Sequence, residues 1–264
     1  MRVLWLTDIH LNFADPIRQR VFRQQVSNSS ADAILISGDI GEADDVTEYL
    51  EQLAAAWQRP IYFVLGNHDF YFGSIAEVRH RVAELCARMP DLHYLSTSDV
   101  IELTPRVALV GHDGWADGRV GDYERSTVMM NDYKLIAELA GVGKRERWPL
   151  LKALAREAAD HLRAALPKAL AAYPEAILVT HVPPLHDACW HEGQLSDDEW
   201  APHFVSLTVG EAIIDVMRRH ADSKLTVLCG HTHGSGQCRP LPNVTIYTGG
   251  AIYGVPGVVR LLEL

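Results

Sequence analysis

Val227-Leu228-Cys229-Gly230-His231-Thr232-His233 begins as an apolar run and stops at a glycine followed by two histidines. Three earlier stretches repeat the pattern: Leu4-Trp5-Leu6-Thr7-Asp8-Ile9-His10, Ile34-Leu35-Ile36-Ser37-Gly38-Asp39 and Tyr62-Phe63-Val64-Leu65-Gly66-Asn67-His68-Asp69. Short runs rich in Val, Ile and Leu read as buried strands, and ligands of layered α/β folds bind beyond the carboxyl ends of such strands. The four stretches therefore predict a sheet that delivers Asp, Asn and His side chains to one rim.

Between these stretches the chain alternates strand and helix. Asp15-Pro16 offers a cap and a first-turn proline for a helix running to about Ser29. Further helices are expected over about Asp45–Trp57 and Ile75–Arg88. Short joins between strand and helix are the mark of layered α/β architecture. Strands near 93–95, 99–103 and 106–111, with a turn at Thr104-Pro105-Arg106, add hairpin character and make the sheet mixed. Helices are expected near 126–139 and 150–172, as an inserted cap or a layer on the main sheet. A strand at 176–180 ends at Thr180-His181, and Pro183-Pro184 bar its continuation. Residues 186–203 read as a long loop, 208–220 as a helix, 225–229 as a strand, and the tail as strands near 236–238, 244–248 and 258–263. No low-complexity linker interrupts the span, so residues 1–264 are read as one domain.

Of the 264 residues, 48% are hydrophobic and 22% charged, which excludes a chain dominated by disorder. The formal net charge of −10 supplies no basic footprint for a long nucleic-acid backbone and lowers the expectation of a nuclease without excluding it. The cysteines Cys86, Cys189, Cys229 and Cys238 show no Cys-x-x-Cys spacing, no apolar run is long enough to span a membrane, and a strand already occupies residues 2–7. A reducing cytoplasm is the expected location.

Asp8, His10, Asp39, Asn67, His181, His231 and His233 supply oxygen and imidazole donors for two ions, provided one carboxylate bridges. Such donors suit Mn, Fe, Zn, Co or Ni better than Mg or Ca. A lone Asp-x-His or His-x-His is a weak signal. Their joint occurrence at strand ends is not.

On these residues the chain resembles the calcineurin-like metallophosphoesterases. The matching pieces are Asp8-x-His10, Gly38-Asp39, Gly66-Asn67-His68-Asp69, His181 after its strand, and Gly230-His231-x-His233, in that order. The resemblance implies a four-layer α/β/β/α sandwich with mixed sheets and a two-metal site. It implies one ion on Asp8, His10, Asp39 and His233 and a second on Asp39, Asn67, His181 and His231. A hydroxide bridging the ions would attack phosphorus in line, and His68 would protonate or stabilise the leaving oxygen. Glu42 stands where many members of the family carry a further Asp, and is expected to keep an outer hydrogen bond to the centre.

The expected function is hydrolysis of a small phosphodiester or monoester. A metal-dependent nuclease and a noncatalytic metal-binding scaffold are the rivals. His112 and Arg119 are candidate substrate contacts against the reading of an ordinary solvated loop. Asp69 either orients a neighbour or closes a turn. Tyr71 and Phe72, together with His186, Trp190, His191, Trp200 and His203, are candidate pocket walls.

Overall fold

The computed structural model describes residues 1–264. Strand β1 (Arg2–Leu6) leads to helix α1 (Pro16–Ser27), where the Asp15 carboxylate accepts the N–H groups of Ile17 and Arg18 and Pro16 opens the first turn. Strand β2 (Ala33–Ser37), helix α2 (Val46–Trp57), strand β3 (Ile61–Val64), helix α3 (Ile75–Arg88) and strand β4 (Leu92–Tyr94) follow. Strands β5 (Ile101–Thr104) and β6 (Val107–His112) form the expected hairpin. Beyond them come helices α4 (Asp132–Leu135) and α5 (Lys144–Ala172), then strand β7 (Glu175–Thr180). A two-stranded ribbon of β8 (Trp190–His191) and β9 (Gln194–Leu195) precedes α6 (Ala201–Phe204) and α7 (Leu207–Arg219). Strands β10 (Lys224–Cys229), β11 (Gly236–Leu241), β12 (Val244–Thr248) and β13 (Arg260–Glu263) complete the chain.

One sheet has the order β13-β1-β2-β3-β4, the other β11-β12-β10-β7-β6-β5. Inner strands pair in parallel, while β13, β11 and β5 are antiparallel edges. Alternation along the strands explains the layers, because successive side chains leave opposite faces. Leu4, Leu6, Ile34, Ile36 and Phe63 pack beneath α1, α2 and α3, whereas Val3, Trp5, Leu35 and Val64 meet Leu109, Ile177, Val179 and Leu228 of the other sheet. On its far side that second sheet buries Val110, Leu178 and Val227 against Leu162, Leu166, Ile213 and Val216 of α5 and α7. The result is an α/β/β/α sandwich. Each fully buried aliphatic side chain of these layers contributes about 1.5–3 kcal/mol.

Two helix expectations need correction. Only Asp132–Leu135 is helical in the stretch read as 126–139, because Ser126 and Thr127 bond to Glu199 and His203 instead of closing helical turns. Helix α5 begins at Lys144, with Pro149 inside its early turns and Pro167 further on. The helix expected near 150–172 thus starts earlier, with Pro149 in its second turn rather than ahead of its first residue. Helix α5 rests against α7, β6 and β7 as a layer over the second sheet.

Candidate active site

Every expected ligand follows the carboxyl end of a parallel strand: Asp8 and His10 after β1, Asp39 after β2, Asn67 after β3, His181 after β7, His231 and His233 after β10. The loops turn immediately. Asp8, His10, Asp39, His231 and His233 all adopt positive φ, between 39° and 73°. Asp and His tolerate this region better than most residues, yet each such residue still costs about 1–3 kcal/mol and clusters of them mark functional sites. Two glycines give the side chains room. A Cβ on Gly66 would collide with the Asp39 carboxylate, and one on Gly230 with Asp8 and Thr7.

The structure brings the seven residues together as two groups that meet at Asp39. In the first, one donor atom each from Asp8, His10, Asp39 and His233 lies within 4.8 Å of all the others. His10 Nε2 is 3.0 Å from His233 Nε2 and 3.6 Å from Asp39 Oδ2, and His233 Nε2 is 3.5 Å from Asp8 Oδ1. In the second, Asn67 Oδ1 is 3.0 Å from His181 Nε2 and 2.9 Å from His231 Nδ1, and His181 Nε2 is 3.4 Å from Asp39 Oδ1. The two oxygens of Asp39 thus face different groups.

Outer contacts aim these donors. His181 Nδ1 donates to the Ser37 carbonyl at 2.8 Å and His231 Nε2 to the His203 carbonyl at 3.2 Å, which leaves the inward nitrogens with lone pairs. Asn67 Nδ2 donates to Asp132 Oδ1 at 2.9 Å, and Tyr71 donates to the same oxygen at 2.7 Å. The amide oxygen of Asn67 is thereby turned inward. Asp8 accepts from the Thr7 hydroxyl at 2.6 Å and from the His231 N–H at 3.0 Å.

Metal ions fit this donor set. Asp8, Asp39, Asp69 and Asp132 are all buried, and every ion pair made by Asp8 or Asp39 is to a histidine. Burial pushes His10 and His231 down to about 3, so neither imidazole offers a compensating positive charge at neutral pH. Burial and the nearby charge of Asp8 raise Asp39 well above the usual carboxylate range. Buried carboxylates whose ion-pair partners are all histidines, held neutral by burial, form a donor set that bound cations would neutralise.

His68 lies beside the first group, its ring 4.6 Å from His10, and its N–H donates to Asp39 Oδ1 at 2.9 Å. Burial, reinforced by His10 and His181, pushes it down to about 2, so it rests as the neutral imidazole. Asp69 makes no hydrogen bond to His68. Its two oxygens accept the N–H groups of Asp39, Ile40, Gly41 and Gly66 at 2.8–3.0 Å, tying the β2 loop to the β3 loop.

The comparisons agree with this geometry. The Calcineurin-like phosphoesterase family matches residues 1–235. The chain belongs to the calcineurin-like phosphoesterase family. As a member it is a metal-dependent phosphoesterase with a potential binuclear site. A phosphopantetheinyl hydrolase from Mycobacterium tuberculosis superposes with a TM-score of 0.69 at 15% identity, covering 96% of this chain and 89% of that one. A dimetal phosphatase from Danio rerio gives 0.58 at 16% identity, covering 96% and 88%, and a protein from Thermus thermophilus gives 0.55 at 17%, covering 94% and 88%. At these identities the likeness shows the fold alone. No curated protein sequence matches the chain.

Several neighbours of the phosphoesterase site differ from expectation. Glu42 makes no side-chain hydrogen bond to the centre; its N–H bonds to Asp45. The acid that holds Asn67 is Asp132, 65 positions away in sequence. His112 is buried, accepts the Gly114 N–H and lies 3.8 Å from Glu157. Arg119 pairs with both oxygens of Glu211, at 2.6 and 2.8 Å, so its charge is committed to α7. His186 bonds to the Ser196 carbonyl, and Trp190 packs over Gly236. Of the long loop, Glu199 and Trp200 line the opening, the His203 carbonyl holds His231, and His191 Nδ1 donates to the Thr232 carbonyl between the two ligand histidines at 3.3 Å. Tyr71 lines it, whereas Phe72 is exposed. Tyr253, from the tail, is a site residue that no local sequence signal marks; its hydroxyl lies 3.2 Å from His68 Nε2.

Proposed function

We propose that the chain hydrolyses a small phosphodiester or monoester at two transition-metal ions, one on Asp8, His10, Asp39 and His233, the other on Asp39, Asn67, His181 and His231. The observation that carries this reading is the division of the two Asp39 oxygens between two donor groups. When bound, a pair of ions supplies a nucleophile at neutral pH and neutralises the phosphoryl oxygens. Mn and Fe are the preferred ions, with Zn, Ni and Co as alternatives suited to the same donors.

The chain's own residues do the rest. His181, His231 and Asn67 are held from outside so that only their inward atoms are free, which limits reorganisation on binding. His68, next to both Asp39 and the opening of the site, donates a hydrogen bond to the leaving oxygen. An anionic ester brought beside it favours the protonated imidazole and makes that proton transferable. The net charge of −10 favours a small ester over a long nucleic acid. The same reading takes residues 1–264 as one working domain, in a reducing cytoplasm consistent with four free cysteines. No helix is long and apolar enough to cross a membrane.

The test is metal-free protein reconstituted separately with Mn, Fe, Zn, Ni and Co, then assayed on paired aryl monoesters and diesters, cyclic nucleotides and single-stranded DNA. Metal-dependent cleavage of the small esters without attack on DNA is expected. Two bound ions with no turnover would make the chain a scaffold, and preferential DNA cleavage would make it a nuclease.

A further inference from the structure

One wall of the site's opening comes from the tail, which the family match to residues 1–235 does not reach. After residue 248 the chain folds back over the rim. Ala251 N–H donates to the His233 carbonyl at 3.2 Å, and Arg18 Nη1 donates to the Gly254 carbonyl at 3.0 Å. This anchoring lays the Tyr253 ring 4.6 Å from both His10 and His233, with its hydroxyl 3.2 Å from His68 Nε2. On the opposite side Trp200 stacks on Phe204 at 5.3 Å, and Phe204 stands edge-on to His231 at 5.2 Å. Each donor group therefore carries its own aromatic wall.

Tyr253 and Trp200 both line a cavity of about 490 Å³, together with His68, Tyr71 and Met129. Its single acidic lining residue is Glu199, whose carboxylate is fixed by the amide and hydroxyl of Thr127. No lysine or arginine lines it. Such a cavity welcomes a flat or quaternary-ammonium group, which the aromatic faces attract, and offers nothing to a second anion.

We infer that this slot between Tyr253 and Trp200 is the leaving-group subsite, and that it selects phosphate esters whose leaving group is neutral or cationic and flat or apolar, against leaving groups bearing further phosphates or carboxylates. The inference rests on the phosphoesterase reading above. His68 links the two, because the group that serves the leaving oxygen also lines the slot. A polymer with phosphates on both sides of the scissile bond would place an anion beside Glu199. The slot thus deepens the small-ester reading into a statement about charge.

The test uses aryl phosphodiesters matched in leaving-group acidity but carrying a trimethylammonio, a neutral or a carboxylate substituent. The reconstituted enzyme should show kcat/KM about tenfold higher for the cationic and neutral esters than for the carboxylate, a gap of the size one partly screened charge produces. Glu199→Lys, a surface change, should shrink the gap to within about threefold. Trp200→Ala should raise KM for the neutral ester about tenfold with kcat little changed. A second readout needs no turnover: saturation-transfer NMR of phenyltrimethylammonium and benzoate on the metal-free protein. Transfer to the ammonium probe alone, abolished by Trp200→Ala, is expected. Equal rates for all three esters, or equal transfer to both probes, would overturn the subsite. Selective probe binding without any ester cleavage would sink the phosphoesterase reading, and with it the leaving-group role, and leave only the slot's preference for cations. Ester cleavage without charge preference or probe binding would do the reverse.

Discussion

Around Asn67, His181 and His231 the outer atom of every donor is held, by Asp132, the Ser37 carbonyl and the His203 carbonyl respectively, whereas around His10 and His233 the imidazoles lean on one another. His10 Nδ1 is buried with no hydrogen-bond partner, and His233 is tied to its surroundings through its backbone carbonyl. In the first group the carboxylates have outer support, Asp8 from Thr7 and the His231 N–H and the shared Asp39 from the His68 N–H, while neither imidazole has any on its ring. The contrast teaches that the Asn67 group is assembled by the protein, while the His10 group would be completed by the ion proposed for it. An assembled site binds more tightly because less freedom is lost on coordination. Stepwise loading of the metal-free protein should therefore show the Asn67 group filling first.

The largest break in that comparison comes from the shared residue. Asp39→Asn removes charge from both groups together, so activity should fall on the order of 10³ or more, the several kcal/mol expected of lost metal-borne charge stabilisation. Bound metal, measured by elemental analysis, should drop below two ions per chain. Two ions retained with normal turnover would end the bridging role. His68→Ala comes next. It should leave two ions bound while turnover falls about 10²–10⁴-fold, the range for losing a general acid. Unchanged turnover would remove His68 from the mechanism.

Asp132→Ala addresses the assembled side alone. Without its acceptor, Asn67 loses the bond that aims its oxygen inward, and the second ion should bind about 10–100-fold more weakly. Calorimetric titration of the metal-free variant should then show two similar steps in place of two distinct ones. If the affinities stay apart, the difference between the groups does not lie in outer hydrogen bonding.

The way these residues divide explains what the sequence could reveal. Each expected ligand lies a few positions beyond an apolar run, so strand composition located it without any tertiary knowledge. The two-sided burial of β1, β2 and β3 made those runs continuous and easy to read. Asp132 and Tyr253 gave no comparable signal, because neither follows an apolar strand run: Asp132 opens the one-turn helix α4, Tyr253 lies in irregular chain, and both reach the site through tertiary packing. Glu42 shows the converse. Its position in the motif suggested an outer hydrogen bond, yet the β2 loop turns its N–H to Asp45 and leaves Asn67 to a residue from another segment. Arg119 and His112 look like substrate contacts in a polar, glycine-bearing loop, and their partners Glu211 and Glu157 lie 92 and 45 positions downstream, beyond the reach of local pattern. Local chemistry was legible where the backbone itself placed it.

The smallest expected effect sharpens the comparison from the other side. Thr7 donates to Asp8 Oδ2 at 2.6 Å, and it is the one side chain that supports the His10 group from outside. Thr7→Val keeps the volume and the strand propensity and deletes the hydroxyl. A single hydrogen bond of this kind contributes about 1 kcal/mol, so affinity for the ion on Asp8, His10, Asp39 and His233 should weaken about fivefold. The ion on the Asn67 group should be unaffected, because none of its donors touches Thr7. Calorimetry would then show the already separated steps moving further apart, opposite to the effect of Asp132→Ala. A variant in which both steps weaken together would mean that the groups are coupled through the β1 loop, and that the difference between them belongs to the whole centre.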